Sequence, residues 1–455
     1  MTNDSLTETD QSRSLPPKRS GIPLLGSAAA FARDPYNLYA DLATYGDVVR
    51  FSLGSTEMVA VFDPDSVKQV LVDDFEQYRK PSDSGGVDIL SEGLLLSDDA
   101  QWERQRTRLQ PLFYRERIET YAETMGVYAA ASAEEWAATD ETVDLSEATS
   151  TYTLRVLGKT LFGIETTEHR EAIRAGAEAI RERSSDSPVG LDIPDWLPTP
   201  GNRRYQHGIE QLDGVIDELL ADSGNDVDGE DLLSLLLAAS NDDGDHPTES
   251  EIRSQLATFL FAGHETSATA LTWALYELGR NPEIAARLQS EIDSVVTDEY
   301  ATLTDLPELS YTTQILNETL RRYPPAAAIF RETDSAVELN GYTVPQDTYV
   351  VLPQFFVHTD DRWWDEPMTF DPSRWDDIDD PPGDRPEYLY FPFGGGPRSC
   401  IGMRFARMEL TLALATIARQ CRVIHDYEDI GVDIGSTTSP AEQLRVRFEP
   451  RNTQI

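Results

Sequence analysis

The chain has 455 residues and a formal net charge of −43 at pH 7, with 81 acidic residues against 38 basic ones. That length can bury a large core, two cysteines exclude a disulfide scaffold, and the acidic balance excludes a nucleic-acid-binding protein, whose phosphate contacts need a basic face. With no apolar N-terminal segment and no apolar run of about eighteen residues, neither a signal peptide nor a membrane anchor is expected, and the expectation is a soluble, cytoplasmic protein. Only Lys18, Lys68, Lys80 and Lys159 are lysines; the other basic residues are arginines. Acidic runs such as Asp376-Asp377-Ile378-Asp379-Asp380 and Asn241-Asp242-Asp243-Gly244-Asp245 recur along the chain. A surface of this kind repels itself in dilute buffer and is screened in concentrated salt, so a halophilic setting is expected.

Residues 1–14 are polar and aperiodic and read as a disordered tail; residues 15–455 read as one domain. A proline-rich opening, Leu15 to Pro23, leads to two β-like stretches, Val48–Leu53 and Met58–Phe62. Between about residues 100 and 325 apolar side chains recur at spacings of three and four, which predicts helices; acidic stretches near 184–202 and 221–248 read as surface loops. Within the first helical segment Trp102 and Arg106 stand one turn apart on one face. Ala262-Gly263-His264-Glu265-Thr266 interrupts a long apolar pattern, Leu256 to Leu278, with a glycine and a β-branched residue, which predicts a local bend. Glu318 and Arg321 fall at i and i+3 before Tyr323-Pro324-Pro325, which ends that helix. A second β region runs from Ala336 to Leu352, with Asn340-Gly341 as its hairpin turn. A Pro/Asp-rich irregular segment containing Phe370-Asp371-Pro372-Ser373-Arg374-Trp375 follows.

That segment leads into Phe393-Gly394-Gly395-Gly396-Pro397-Arg398-Ser399-Cys400-Ile401-Gly402, after which a helical apolar pattern begins at once (Ile401, Phe405, Met408, Leu412). A helix N-terminus, free backbone N–H groups and an arginine all lower a thiol's pKa. Glycines let a backbone approach a flat ligand and aim its amides at the sulfur. Phe393 can pack beside that sulfur and exclude water. The pattern reads as a loop that holds an anionic sulfur against a planar iron cofactor. Cys421, near the end of the same predicted helix and without such a loop, reads as a plain core or helix-end thiol.

The loop closely resembles the haem-ligand loop of the cytochromes P450, Phe-x-x-Gly-x-Arg-x-Cys-x-Gly. Phe393, Gly396, Arg398, Cys400 and Gly402 fill every position of it, and Ala406 and Glu409 fit the helix that follows. The resemblance extends over about residues 15–448 and implies a mainly α P450 fold, a large helical domain with a small β region. It implies haem b with Cys400 as the iron ligand, and Phe393, Gly402 and Ala262 against the cofactor. It implies that Trp102, Arg106, Arg331 and Arg398 hold the propionates, since an indole N–H and guanidiniums suit carboxylate oxygens. Glu265 and Thr266 take the family's acid–alcohol positions, relaying protons to the bound dioxygen; His264 is read as non-ligating. Glu318, Arg321 and Arg374 match the Glu-x-x-Arg and Phe-x-Pro-x-Arg motifs and imply a buried structural triad.

By position, Phe259, Ala262, Ala326, Ala327, Ala328, Ile329 and Phe330 line the distal side, with Leu90, Leu94 and Leu95 closing over it, which implies a hydrophobic small-molecule substrate. The expected reaction is insertion of one oxygen atom from O2, by hydroxylation or epoxidation. No fused reductase is expected, and electrons are expected from a ferredoxin-type partner. Residues 102–117 carry five arginines against two glutamates, and residues 398–407 carry three arginines and no acid. Arg104, Arg108, Arg404 and Arg407 are therefore expected to face outward as its docking patch. The alternatives are a P450-fold peroxygenase or isomerase, which often departs from the acid–alcohol pair, and a haem sensor or electron carrier, which needs neither a proton relay nor an apolar pocket.

Overall fold

The computed structural model describes residues 14–81, 87–139, 141–186, 197, 199–222, 232–238, 247–376, 385–435 and 437–451. Residues 1–13, most of both expected acidic loops, the 241–245 run and all but Asp376 of the 376–380 run lie outside the described residues.

Helices dominate, as the three-and-four spacing predicts, and the chain is mainly α with small sheets. The longest, Glu249–Arg280, has 32 residues and spans about 48 Å. Its start is built by a capping box: the Thr248 hydroxyl accepts from the Glu251 amide and the Glu251 carboxylate accepts from the Thr248 amide. It stops at Asn281, ahead of Pro282. Buried residues surround it along most of its length, so it runs through the core. The helix Leu145–Leu161 packs along it, and Met403–Gln420, which begins just after Cys400, packs against Ala122–Ala137 and against the long helix. The pair Arg170–Asp186 and Pro200–Asp222 packs together and also touches the long helix.

The bend expected at 262–266 is not an interruption of the helix. The helical assignment runs unbroken through it, with the Thr266 hydroxyl donating to the Ala262 carbonyl at 2.9 Å. Gly263 has a packing reason instead: a Cβ there would lie 2.9 Å from Leu157 of the neighbouring helix.

The β region is a five-stranded sheet in the order Val48–Leu53, Thr56–Val61, Tyr349–Leu352, Ile329–Thr333, Tyr78–Arg79. The Thr56–Val61 and Tyr349–Leu352 strands pair in parallel and the other neighbours are antiparallel. The predicted hairpin forms between Val337–Leu339 and Tyr342–Val344, and its turn residues Asn340 and Gly341 both have positive φ, as a two-residue turn of this hand requires. Cys421 opens the short strand Cys421–Ile424, 2% exposed, its thiol donating to the Ile417 carbonyl at 3.3 Å, in line with its reading as a core thiol.

Candidate active site

Cys400 sits at the end of a loop shaped by close approaches. Gly394 and Gly396 have φ of +72° and +64°. A Cβ on Gly396 would fall 2.0 Å from the Leu71 carbonyl oxygen, so only glycine fits between the loop and residues 71–72. The Cys400 amide donates to the Phe393 carbonyl at 2.9 Å, which closes the loop. The Gly402 amide bonds to the sulfur and lowers its pKa, and the Arg106 charge lowers it further, but burial is the larger effect and pushes the thiol up. Cys400 is nevertheless exposed, crowded by the surrounding protein but not covered by it. Phe393 lies under the Arg407 guanidinium, 5.3 Å from its ring centre.

Beside this loop the fold gathers cations from four separate segments. Arg331, 5% exposed, donates to the Phe330 carbonyl; burial and the nearby Arg398 push its pKa down to about 10. Arg398 donates to the Ser97 carbonyl, pairs with Asp98 and stacks over the Trp102 ring at 4.6 Å. Arg106 donates to the Ser399 carbonyl at 2.9 Å, next to the cysteine. Lys80 completes the group, its amide donating to Asp98; burial, Arg331 and Arg398 hold its ammonium well below the usual lysine range. Sequence reasoning missed Lys80 and Asp98. The one available signal was that lysine is nearly absent from this chain.

Lys80, Arg331 and Arg398, crowded together and balanced chiefly by the carboxylate of Asp98, are costly unless another anion completes the site, and Arg106 adds a fourth cation beside the cysteine. A flat cofactor carrying two carboxylates and an iron within reach of Cys400 fits both the cation cluster and the cysteine loop. Trp102 serves this cluster as the platform for Arg398, through a cation–π contact.

On the long helix Leu260, His264, Ser267 and Ala268 are buried, whereas Ala262, Glu265, Thr266 and Thr269 are only partly so. The latter recur at helical spacing and form the stripe that faces away from the core. Burial raises the Glu265 pKa to about 7; Arg181 on the Arg170–Asp186 helix, its Nε 3.7 Å from Oε1, acts the other way, and Glu178 raises it further. Its Oε2 is buried and has no hydrogen-bond partner among the described residues. His264 is buried and neutral, its pKa pushed to about 4, and its ring bonds to the Leu260 carbonyl, consistent with a non-ligating residue.

The expected distal lining is only partly brought together. Ala326, Ala328 and Ile329 are half-buried and Phe330 is exposed, while Ala327 is 2% exposed and packs into the core beside Val351 and Phe355. Phe259 is 7% exposed and stacks on Phe113 at 5.8 Å, so its ring is engaged by a neighbouring segment. Gly93 is what lets the 87–97 segment lie against the long helix: a Cβ there would strike Thr258 and the Ser254 carbonyl.

The triad is assembled. Glu318 and Arg321 are fully buried, and the carboxylate accepts from Arg321 Nε and Nη2 at 2.8 and 2.7 Å, from Trp375 Nε1 and from the Asp371 amide. Arg374 Nε lies 3.4 Å from the same carboxylate. Arg321 also donates to the His358 and Pro367 carbonyls, which ties the irregular segment to the helix Ser310–Arg322.

The expected outward patch is corrected in part. Arg104 and Arg404 are exposed, but Arg108 and Arg407 are half-buried. Arg407 is turned inward by its contact with Phe393 and its hydrogen bond to Asn317, because the helix it sits on packs against Ser310–Arg322.

Comparison with known proteins decides the family. The model of the family described as Cytochrome P450 matches residues 16–439. The chain belongs to the cytochrome P450 family. This P450 is 36% identical over 416 residues to cyclooctatin synthase of Streptomyces melanosporofaciens, covering 89% of this chain and 88% of that protein. It is 34% identical over 443 residues to pentalenene oxygenase of Streptomyces avermitilis, covering 94% and 96%. A third relative, cyclooctat-9-en-7-ol 5-monooxygenase of Streptomyces melanosporofaciens, is 33% identical over 439 residues. The chain is thus a cytochrome P450 monooxygenase, an oxidoreductase of the haem-thiolate class. No helix among the described residues is long and apolar enough to cross a membrane.

Proposed function

We propose that this P450 inserts one oxygen atom from O2 into a hydrophobic, terpene-sized substrate, with Cys400 as the axial ligand of haem b and electrons from a separate ferredoxin-type protein. The convergence of the Cys400 loop with the cation cluster of Lys80, Arg106, Arg331 and Arg398 carries the reading. The relatives named for pentalenene and for cyclooctat-9-en-7-ol support the substrate class. When bound, the haem would supply oxygen binding and cleavage, with the thiolate donating electron density.

The chain's own residues do the rest. Gly402 aims an amide at the sulfur and Arg106 favours its anionic form. Lys80, Arg106, Arg331 and Arg398 would hold the cofactor's two carboxylates. Glu265, with a pKa of about 7, can both take and give a proton at neutral pH, and Thr266 offers a hydroxyl one residue on. Arg181 holds Glu265 in place and moderates its acidity. Ala262, Ala326, Ala328 and Ile329 present small or apolar surface, which suits a substrate without charge. The exposed Arg104 and Arg404 are the best placed of the four arginines to meet an acidic donor. The dispersed acidic surface supports work in concentrated salt inside a cell.

Replacing Cys400→Ser tests the assignment. The reduced parent protein should give the red-shifted carbon monoxide band of a thiolate-ligated haem, and the variant should lose it. Survival of the band in the variant, or its loss only on changing Cys421, would overturn the ligand assignment.

A further inference from the structure

A run of aromatic rings leads from the oxygen-activating helix to the surface, and the chemistry proposed above makes no use of it. Trp273 lies seven residues past Thr266 on the same helix, about 10 Å of helical rise. It is fully buried, and its Nε1 donates to the Thr438 carbonyl at 3.0 Å. The neighbouring Thr437 pairs with Ala326, so Trp273 sits just behind the expected distal wall. Its ring stacks on Tyr323 at 4.0 Å and 2°. Tyr276 meets Trp273 edge-on at 5.7 Å and stacks on His425 at 5.1 Å, and His425 lies 5.5 Å from the half-buried Tyr427.

Two details go beyond ring packing. A Cβ at Gly279 would lie 2.5 Å from the His425 ring, so glycine at 279 is what allows that ring to lie on the long helix. The Tyr323 hydroxyl donates at 2.6 Å to Glu277, a carboxylate 1% exposed that also accepts from Asn281. A phenol gives up an electron readily only if its proton has somewhere to go, and Glu277 is placed to accept it.

We infer that Trp273, Tyr323, Tyr276, His425 and Tyr427 form an escape path that carries an oxidising equivalent from the oxygen-activating site to the surface when oxygen is activated with no substrate to receive it. The inference rests on the monooxygenase reading, which supplies the oxidant. One electron leaves Tyr323, through Trp273, for that site; the phenolic proton passes to Glu277, leaving a neutral tyrosyl radical. An electron from Tyr427, passed across the His425 and Tyr276 rings and on through Trp273, refills Tyr323, which takes its proton back. Tyr427, having shed its own proton to solvent, is restored by an external thiol that gives one electron and one proton and becomes a thiyl radical. The path is idle toward a low-potential donor, because an indole or phenol ring is oxidised only by a strong oxidant.

The test treats the substrate-free holoprotein with hydrogen peroxide and a nitrone spin trap, then maps adducts by peptide mass spectrometry and follows the organic radical by freeze-quench EPR. Adducts are expected mainly on Tyr427. In Tyr427→Phe they should vanish from position 427 and haem bleaching should run severalfold faster, with coupled turnover on substrate unchanged. Trp273→Phe should cut labelling at Tyr427 severalfold; since that site is buried, the half-buried Tyr427→Phe keeps the test decisive if it misfolds. Radicals formed in the parent but trapped elsewhere, or bleaching at the parent rate in Tyr427→Phe, would overturn the path. A parent with no thiolate carbon monoxide band and no radical under peroxide would instead overturn the monooxygenase reading, and the path with it.

Discussion

Removing Arg181 should move the pH at which oxygen activation loses its proton supply. Glu265 is raised from the ordinary 4.5 to about 7 by burial, with Arg181 pulling it down. At the 3.7 Å separation of the pair, Coulomb's law gives about 1 kcal/mol in a water-like dielectric and about 4 kcal/mol at an effective value of 20. Arg181 is 34% exposed, so the screened figure is the appropriate one, and about 1 kcal/mol corresponds to a little under one pH unit. Arg181→Leu should therefore raise the Glu265 pKa by roughly that amount. Protonated Glu265 is the donor, so in the parent the product formed per electron should fall as pH rises through about 7. In Arg181→Leu the fall should come at higher pH, and in Glu265→Gln it should disappear at low coupling throughout. The stability sign follows from the same shift. The folded protein holds this proton more tightly than the unfolded chain, so stability is lost as pH rises from 4.5 to about 7, a slope to which the buried Glu409 also contributes and which Glu265→Gln reduces. The assay is the ratio of product to electrons consumed, measured across the neutral range with a saturating substrate. An unmoved fall in Arg181→Leu, or a normal fall with full coupling in Glu265→Gln, would refute the reasoning.

Thr266→Ala should still bind haem and substrate but divert electrons to peroxide, read as hydrogen peroxide per electron; unchanged coupling would remove the hydroxyl from the mechanism. Glu318→Ala strands the buried Arg321 charge and should cost about 3–5 kcal/mol in urea unfolding, with poor haem retention. A cost below about 1 kcal/mol would mean that the carboxylate is not what compensates Arg321. Unfolding temperature should climb from low to molar potassium chloride as self-repulsion is screened, and a flat response would count against the halophilic reading. Exchanging Arg104→Glu and Arg404→Glu together should slow reduction by an acidic ferredoxin while leaving dithionite reduction and substrate binding alone; equal ferredoxin rates would sink the docking patch.

What could be read from the sequence was what local spacing dictates. The Cys400 loop is legible because a sulfur, an arginine and four glycines within ten residues determine one backbone shape, and close approaches such as Gly396 on Leu71 leave no other residue possible. The Asn340-Gly341 turn and the Glu318–Arg321 spacing are legible for the same reason: each is set by neighbours in the chain. Helical periodicity shows which face of a helix is apolar but not which element that face meets. So the spacing does not show that Phe259 stacks on Phe113, nor that Phe393 and Asn317 hold Arg407. Lys80, Asp98, Arg331 and Arg398 come from separate stretches, and their crowding, which makes the site demand an anion, exists only once the sheet and the cysteine loop are packed together. The acidity of Glu265 is likewise a product of assembly: burial and a cation from another helix, neither visible in its own neighbours, set it near 7.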